Sequence, residues 1–60
     1  MTVEDLYEQV EIQGEVKIVY VEQDGYSRIE IDYECAQSLE IQYMYCDDGI
    51  MYIEVELEEN

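Results

Sequence analysis

Acidic side chains recur at every second position in two stretches of this chain. They are Glu30, Asp32 and Glu34 in the middle and Glu54, Glu56 and Glu58 near the end. Carboxylates in such arrays can catalyse glycoside hydrolysis as a pair, bind a hard cation, or present ordered negative charge to a basic partner. Alternate side chains of a strand point to one face, about 6.7 Å apart, so each stretch predicts a row of carboxylates on one face of a sheet.

The other residues favour neither catalysis nor a metal site. There is no histidine to act as a base for Ser27 or Ser38, and 60 residues leave no room for the substrate cleft that paired carboxylates need. Asp47-Asp48-Gly49 lacks the alternating acids and the closing glutamate of a calcium loop, and it predicts a hairpin turn instead. We therefore predict that the protein is not an enzyme and uses no metal or cofactor.

The net charge limits the partners that the chain can have. Seventeen Asp and Glu residues against Lys17 and Arg28 give a net charge of −15. Nucleic acid and anionic membrane surfaces both require basic patches, so neither is a direct partner, and a basic protein is favoured. The chain also has no signal-peptide pattern and no apolar run of membrane length, from which a cytoplasmic protein is expected.

One helix and a first hairpin follow from the pattern of residues 1–34. Thr2 is a good N-cap with Asp5 three residues later, and the apolar stripe Val3, Leu6, Tyr7 and Val10 predicts a helix over about residues 2–10. Asp24-Gly25 predicts a two-residue turn between strands at 15–22 and 27–34. On one face, the predicted register pairs apolar residues: Val16 with Tyr33, Ile18 with Ile31, and Tyr20 with Ile29. On the other face it pairs Glu15 with Glu34, Lys17 with Asp32, Val19 with Glu30, and Val21 with Arg28.

Residues 39–46 and 50–58 predict a second hairpin, whose loop has two possible lengths. A two-residue Asp48-Gly49 turn sets Tyr43 opposite Glu54 and mixes polar with apolar side chains. A three-residue Asp47-Asp48-Gly49 loop, with Gly49 left-handed, sets Tyr43 opposite Ile53 and keeps the two faces separate. The three-residue loop is therefore preferred.

The predicted architecture is a single α+β domain over residues 1–60, with a short N-terminal helix packed on a four-stranded antiparallel sheet of two hairpins. Such a sheet is about 19 Å wide and a helix about 10 Å across. One helix therefore leaves apolar surface uncovered, and a second copy of the chain is the expected cover, giving a homodimer. Cys35 and Cys46 fall at opposite ends of this sheet and are expected to be free thiols.

The face opposite the helix is the predicted binding surface. Tyr52, beside Met44, is its candidate aromatic anchor, whereas Tyr43 and Tyr45 are predicted to face the core. The alternative is that Tyr52 and the acids are only solvated surface. The predicted partner-binding residues are Glu30, Asp32, Glu34, Glu40, Tyr52, Glu54, Glu56 and Glu58.

The strings TVEDLYEQVEIQGEVKIVYVE and QYMYCDDGIMYIEVE cover most of the chain. With the opening T-V-x-D-L-Y-E and the closing Y-M-Y…I-E-V-E, they resemble small accessory proteins carried by phages and integrative elements of Gram-positive bacteria. The resemblance implies a bacterial host cytoplasm. It also implies a setting in which acidic anti-CRISPR inhibitors occur, several of which mimic DNA in the PAM-reading groove of Cas9-type effectors.

Two functions are therefore expected. The first is a non-catalytic inhibitor whose acidic sheet face mimics nucleic acid and blocks the basic DNA- or RNA-binding groove of a host-defence protein such as a Cas effector. The second is a homo-oligomeric structural or assembly module of a mobile element, in which the acids only maintain solubility. Added salt separates the two, because it weakens charge-driven binding but not self-association through apolar surface.

Overall fold

The computed structural model describes residues 1–57. Its elements are α1 (Val3–Gln9), β1 (Glu15–Val21), β2 (Arg28–Ile31), α2 (Tyr33–Ala36), β3 (Ile41–Asp47) and β4 (Ile50–Val55). The chain is α+β with a four-stranded sheet, as predicted, but the strand order is β2-β1-β4-β3 and the central β1–β4 pair is parallel. The prediction of an all-antiparallel sheet is therefore wrong.

The central position of β1 and β4 follows from burial. The sequence pattern of a hairpin predicts which two strands pair within it. It does not predict which strand of one hairpin pairs with which strand of the other. In the structure, the two strands that carry the buried core residues of the helix side, Ile18 on β1 and Ile53 and Val55 on β4, occupy the centre, where both of their neighbours are strands. Their paired residues on that side are Val16 with Met51, Ile18 with Ile53, and Tyr20 with Val55.

Helix α1 begins at the predicted N-cap. The Thr2 hydroxyl accepts a hydrogen bond from the Asp5 N–H, and the Asp5 carboxylate accepts one from the Thr2 N–H, which completes the capping box. Val3 and Leu6 are buried against the sheet. Helix α1 ends at Gln9, and Val10 is extended and 49% exposed, so the apolar stripe is shorter than predicted.

The first hairpin keeps its predicted register over four pairs: Ile18 with Ile31, Val19 with Glu30, Tyr20 with Ile29, and Val21 with Arg28. Its connection is longer than the predicted two-residue turn, because the Asp24 carboxylate accepts hydrogen bonds from the N–H groups of Tyr26 and Ser27 and closes a wider loop. The register survives because the Glu22 N–H still donates to the Ser27 carbonyl.

Strand β2 ends at Ile31, earlier than predicted, because Asp32 starts a second helix. The Asp32 carboxylate accepts a hydrogen bond from the Cys35 N–H and caps the four-residue α2. The predicted pairs of β1 with Asp32, Tyr33 and Glu34 therefore do not form. Ala36 of α2 is buried in the same core as Val3 and Leu6 of α1, so the expectation of a single helix is wrong. Apolar surface remains uncovered on the helix side, as expected, because Met44 of β3 is 48% exposed.

The second hairpin has the two-residue turn that the face pattern disfavoured. Asp48 and Gly49 both have positive φ, of 52° and 77°, and Asp47 pairs with Ile50. The prediction for Gly49 is confirmed, and the three-residue loop is wrong. A bulge between Ile41 and Tyr43 shifts the register by one residue, so that Ile41 still lies opposite Val55.

The core lies between the two helices and one face of the central strands. Its buried cluster is Val3, Leu6, Ile18, Ala36, Ile53 and Val55. The start of α1 is held against the segment before β3, because Val3 N–H donates to the Leu39 carbonyl and Glu4 N–H to the Gln37 carbonyl. Among residues 1–57, the helices therefore form a layer on one side of the sheet, and none lies on the other.

Candidate functional site

The face of the sheet that points away from the helices is termed here the sheet face. Ile53 and Val55 are buried under the helices, so the intervening Glu54 points to the sheet face, as expected. The pairings of the four strands bring both cations of the chain and three tyrosines to this side. The residues of the sheet face are Glu15, Lys17, Val19, Val21, Arg28, Glu30, Tyr43, Tyr45, Asp47, Ile50, Tyr52 and Glu54.

Three carboxylates near the centre of the sheet face, Glu15, Glu30 and Glu54, each lie beside Lys17 or Arg28. Lys17 Nζ lies 4.0 Å from Glu15 Oε2 and 3.9 Å from Glu30 Oε2. Arg28 Nε lies 3.5 Å from Glu54 Oε2. The predicted row of free carboxylates is therefore absent from this part of the described chain.

The Arg28–Glu54 ion pair also covers the centre of the sheet face. Arg28 is on β2 and Glu54 is on β4, the two strands that flank β1, so the pair passes over β1. Val19 lies on β1 beneath it and is 5% exposed, although no helix covers this side. The Glu54 side chain is itself only 13% exposed.

The tyrosines of the second hairpin lie on the side opposite to that predicted. The shorter turn brings Tyr43 and Tyr45 to the sheet face and Met44 to the helix side, so the predicted contact of Tyr52 with Met44 is wrong. Tyr52 instead stacks on Tyr45, with ring centroids 5.2 Å apart. Tyr43 is 67% exposed, and the three rings form an aromatic strip beside the ion pairs.

Two predicted site residues, Asp32 as the N-cap and Glu34, belong to α2 and not to the sheet. Asp32 accepts the capping hydrogen bond from Cys35, and this bonding holds the pKa of its carboxyl below the ordinary value. Glu34 is exposed on α2. The same Asp32 carboxylate raises the pKa of the Cys35 thiol, through a hydrogen bond and through its charge. Cys35 and Cys46 are both free, as predicted.

The remaining predicted site residues are scattered. Glu40 lies 2.9 Å from the Met1 amine, and this contact raises the pKa of that amine. Glu56 accepts a hydrogen bond from Gln42 Nε2 at 2.9 Å. Glu58 lies outside the described residues. Of the predicted set, only Glu30, Tyr52 and Glu54 come together on the sheet face.

A second acidic surface lies on the helix layer, and the sequence reasoning missed it. Partial loss of solvation raises the pKa of Tyr33 at the start of α2, and the charges of Glu4 and Glu8, which are one turn apart on α1, raise it further. The Tyr7 and Tyr33 rings meet between the helices at 4.8 Å. Four exposed acids around these helices are termed here the helix surface: Glu4, Glu8, Glu11 and Glu34.

The carboxylates of the helix surface are not engaged. Within residues 1–57, no ion pair or hydrogen bond holds their side chains, whereas Glu15, Glu30 and Glu54 of the sheet face each lie beside a cation. One sequence signal was available for this surface, because residues 1–16 contain neither lysine nor arginine. Within residues 1–57, the carboxylates without a cation beside them therefore lie mainly on the helix side, in the loops and at strand ends such as Asp47.

A cleft of about 560 Å³ opens where β1 and β4 end. Tyr20, Val55 and Leu57 line its apolar wall, and Glu22 and Glu56 lie at its rim. Such a lining suits the aliphatic stem and charged head of a lysine or arginine side chain. Within residues 1–57 no three metal-ligating side chains lie close enough together to hold a metal ion.

Comparison with protein-family models, curated proteins and solved structures finds no match to this chain. Among the described residues, no helix is both long and apolar enough to cross a membrane.

Proposed function

We propose that this protein is a non-catalytic inhibitor that binds the basic nucleic-acid-binding groove of another protein through its helix surface. One observation carries the proposal: the carboxylates of the helix surface have no neutralising partner, while both cations of a chain of net charge −15 are paired on the opposite side. The surface that faces the partner is therefore not the sheet face that the alternating sequence pattern favoured.

The helix surface has the features that binding to a basic groove requires. Glu4, Glu8 and Glu34 lie on two capped helices, and Glu11 follows the first of them. Backbone hydrogen bonds join the start of α1 to the end of α2, so the backbone sets the positions of these acids. A groove that binds nucleic acid is lined with Lys and Arg, and ordered carboxylates can take the places of the phosphates. Tyr7 and Tyr33, between the acids, offer aromatic faces on which a guanidinium group can stack.

The resemblance to accessory proteins of phages and integrative elements supplies a first target class. Those elements encounter host-defence nucleases, and a Cas9-type effector reads its PAM with arginines in the major groove. A rigid acidic surface that occupies such a groove excludes the DNA. We propose a guide-loaded Cas9-type effector as the first target to test.

Two variants with the same change in charge test the location of the binding surface. The helix variant replaces Glu4, Glu8, Glu11 and Glu34 with Gln. The sheet variant replaces Glu15, Glu30 and Glu54 of the sheet face, together with Glu56 just beyond β4, with Gln. Each changes the formal charge by four units. The measurement is the ability of each protein to displace a fluorescent PAM-containing duplex from the effector, read by anisotropy at about 50 and 200 mM salt.

The proposal predicts that the wild-type protein and the sheet variant displace the duplex and that the helix variant does not. Displacement should also fall steeply between the two salt concentrations, as it does for contacts that replace phosphates. Equal loss in both variants would mean that only total charge matters. A homo-oligomeric structural or assembly module, the second function expected from the sequence, predicts no displacement by any of the three.

A further inference from the structure

The two edges of the sheet differ in how well they are protected. Edge strand β2 has four residues and carries Arg28 and Glu30. Edge strand β3 has seven residues, and positions 41–46 form the longest stretch of the chain without a charged side chain. Natural edge strands are kept from pairing by charges, proline, shortness or bulges, and β3 has only the bulge at its start and the charge of Asp47 at its end. The β3 edge is therefore open to another strand.

The outward backbone groups of β3 can be assigned from the turn. Asp47 and Ile50 flank a two-residue turn and form a hydrogen-bonded pair, and such pairs alternate along an antiparallel ladder. Met44 and Cys46 therefore direct their N–H and C=O groups away from β4. These are the groups that a further strand on this edge would pair with.

The chain already uses the start of this edge. Ile41 N–H donates to the carbonyl oxygen of Met1 at 2.9 Å, and Thr2 forms an antiparallel bridge with Glu40. Within residues 1–57, no segment continues this pairing beyond Ile41. The edge thus accepts an antiparallel neighbour at its first residue and remains unpaired along the rest of its length.

We infer that β3 pairs antiparallel with β3 of a second copy of this chain, about a two-fold axis near Met44. The two four-stranded sheets then join into one continuous sheet of eight strands. In this register Tyr43 of each copy lies opposite Tyr45 of the other on the sheet face, and Met44 meets Met44 of the second copy on the helix side. Cross-strand aromatic pairs of this kind stabilise sheets.

Charge favours a second copy as the occupant of this edge. Two copies of net charge −15 repel wherever their acids approach, so they can meet only where the surface carries no charge, and positions 41–46 meet that condition. Joining side by side keeps the two sheet centres about 19 Å apart, beyond the screening length of about 8 Å at physiological salt. A basic strand from another protein would gain nothing from an uncharged edge.

The dimer is independent of the proposed function. The acids of the helix surface lie on or next to α1 and α2, whereas the inferred contact uses backbone groups of β3 at Met44 and Cys46, so pairing of the edges engages none of these acids. Self-association is opposed by like charge and should strengthen with salt, whereas binding to a basic groove should weaken with salt. The two kinds of association can therefore fail or succeed separately.

The first test uses the wild-type chain. Sedimentation from about 10 µM to about 1 mM protein, the range in which a small interface associates, should show a monomer–dimer equilibrium that strengthens as NaCl is raised. Amide hydrogen exchange on the same samples should slow at Met44 and Cys46 with increasing protein concentration. The outward amides of the other edge, Arg28 and Glu30, serve as internal controls and should not change.

A pair of proline variants gives the matched control. Met44→Pro removes an outward N–H from the β3 edge, and Glu30→Pro removes one from the β2 edge. The first should be monomeric at every concentration and the second should still dimerise, and circular dichroism reports whether each is folded. If either variant is unfolded, the exchange data on the wild-type chain decide.

Three results would overturn the inference. One is a wild-type chain that remains monomeric at about 1 mM in high salt, where a small interface should be populated. Another is a dimer whose Met44 and Cys46 amides exchange at a rate independent of concentration, because its contact is then elsewhere, such as the sheet face. The third is a folded Met44→Pro variant that dimerises as well as the wild-type chain.

Discussion

The ion pair across β1 predicts that its two partners contribute unequally to stability. Glu54 is 13% exposed and Arg28 is 50% exposed, with 3.5 Å between Nε and Oε2. At an effective dielectric constant of about 20, the gross attraction at this distance is about 5 kcal/mol, most of which is offset by desolvation and side-chain ordering. The net effect of a substitution depends on which charge is left behind.

Removal of Arg28 should cost more than removal of Glu54. Arg28→Gln leaves a carboxylate that is largely shielded from water and has no cation, so it should cost about 2–3 kcal/mol. Glu54→Gln leaves a half-exposed guanidinium that water can solvate, so it should cost about 1 kcal/mol or less. The double variant should recover part of the loss, with a coupling of about 1–2 kcal/mol.

Lys17→Gln is the matched control, because it removes the same charge from the same face. Its partners Glu15 and Glu30 are 61% and 62% exposed and lie at 4.0 and 3.9 Å, so its loss should cost about 0.5 kcal/mol or less. Urea unfolding in about 0.15 M NaCl measures all four variants, and 2–3 kcal/mol corresponds to roughly 10–20 °C in melting temperature for a domain of this size. The reasoning is refuted if Arg28→Gln costs no more than Lys17→Gln.

The other predictions concern the turn, the pH profile and the thiol. Gly49→Ala should cost about 1–2 kcal/mol in urea unfolding, because φ is 77° and a Cβ there meets no atom within 4 Å, so only backbone strain opposes it. Melting temperature should rise from pH 7 to about pH 5 as repulsion is relieved. The pKa values of Asp24 and Asp32 are lowered in the folded state, so these two carboxylates stabilise the fold at pH values above their unfolded pKa of about 4. This stabilisation should be lost as the pH falls through the lowered pKa values. A melting temperature that rises steadily to pH 2 would contradict this prediction. In a Cys46→Ser background, Asp32→Asn should speed alkylation of Cys35 at pH 8 several-fold. The substitution removes the charge that raises the pKa of the thiol but keeps an N-cap residue for α2. An unchanged alkylation rate would show that this charge has no effect.

The first hairpin could be predicted from sequence because its information is local. Two β-rich runs around Asp24-Gly25 allow one register that matches apolar residues, and that register forms even though the loop is wider than predicted. The capping box of α1 is local in the same way. Short-range chemistry was enough for these elements.

The second hairpin and the sheet order depend on features with no local signature. The bulge before Tyr43 shifts the register by one residue, so Ile41 can lie opposite Val55 even though the turn has only two residues. Without a bulge, the same turn would put Ile41 opposite Glu56, and for this reason the sequence disfavoured it. The alternation of Glu30, Asp32 and Glu34 continues past Ile31 as though the strand continued, although Asp32 caps a helix. These two errors placed the tyrosines in the core and the acids on one face.

The candidate surface was missed for the same physical reason. Which carboxylates are neutralised depends on where the two cations lie, and the strand order alone brings Arg28 within reach of Glu54. The sequence therefore predicts an acidic protein but not which of its faces keeps its charge.

Carboxyl footprinting tests the central claim most directly. The protein is labelled with a carbodiimide and glycine ethyl ester, alone and bound to the guide-loaded effector at low salt, and the modified residues are quantified by mass spectrometry. We expect binding to slow labelling at Glu4, Glu8, Glu11 and Glu34, while the exposed sheet-face acids Glu15 and Glu30 keep the rate of the free protein. Slowed labelling at Glu15 and Glu30 with no change at Glu4, Glu8, Glu11 and Glu34 would contradict the account.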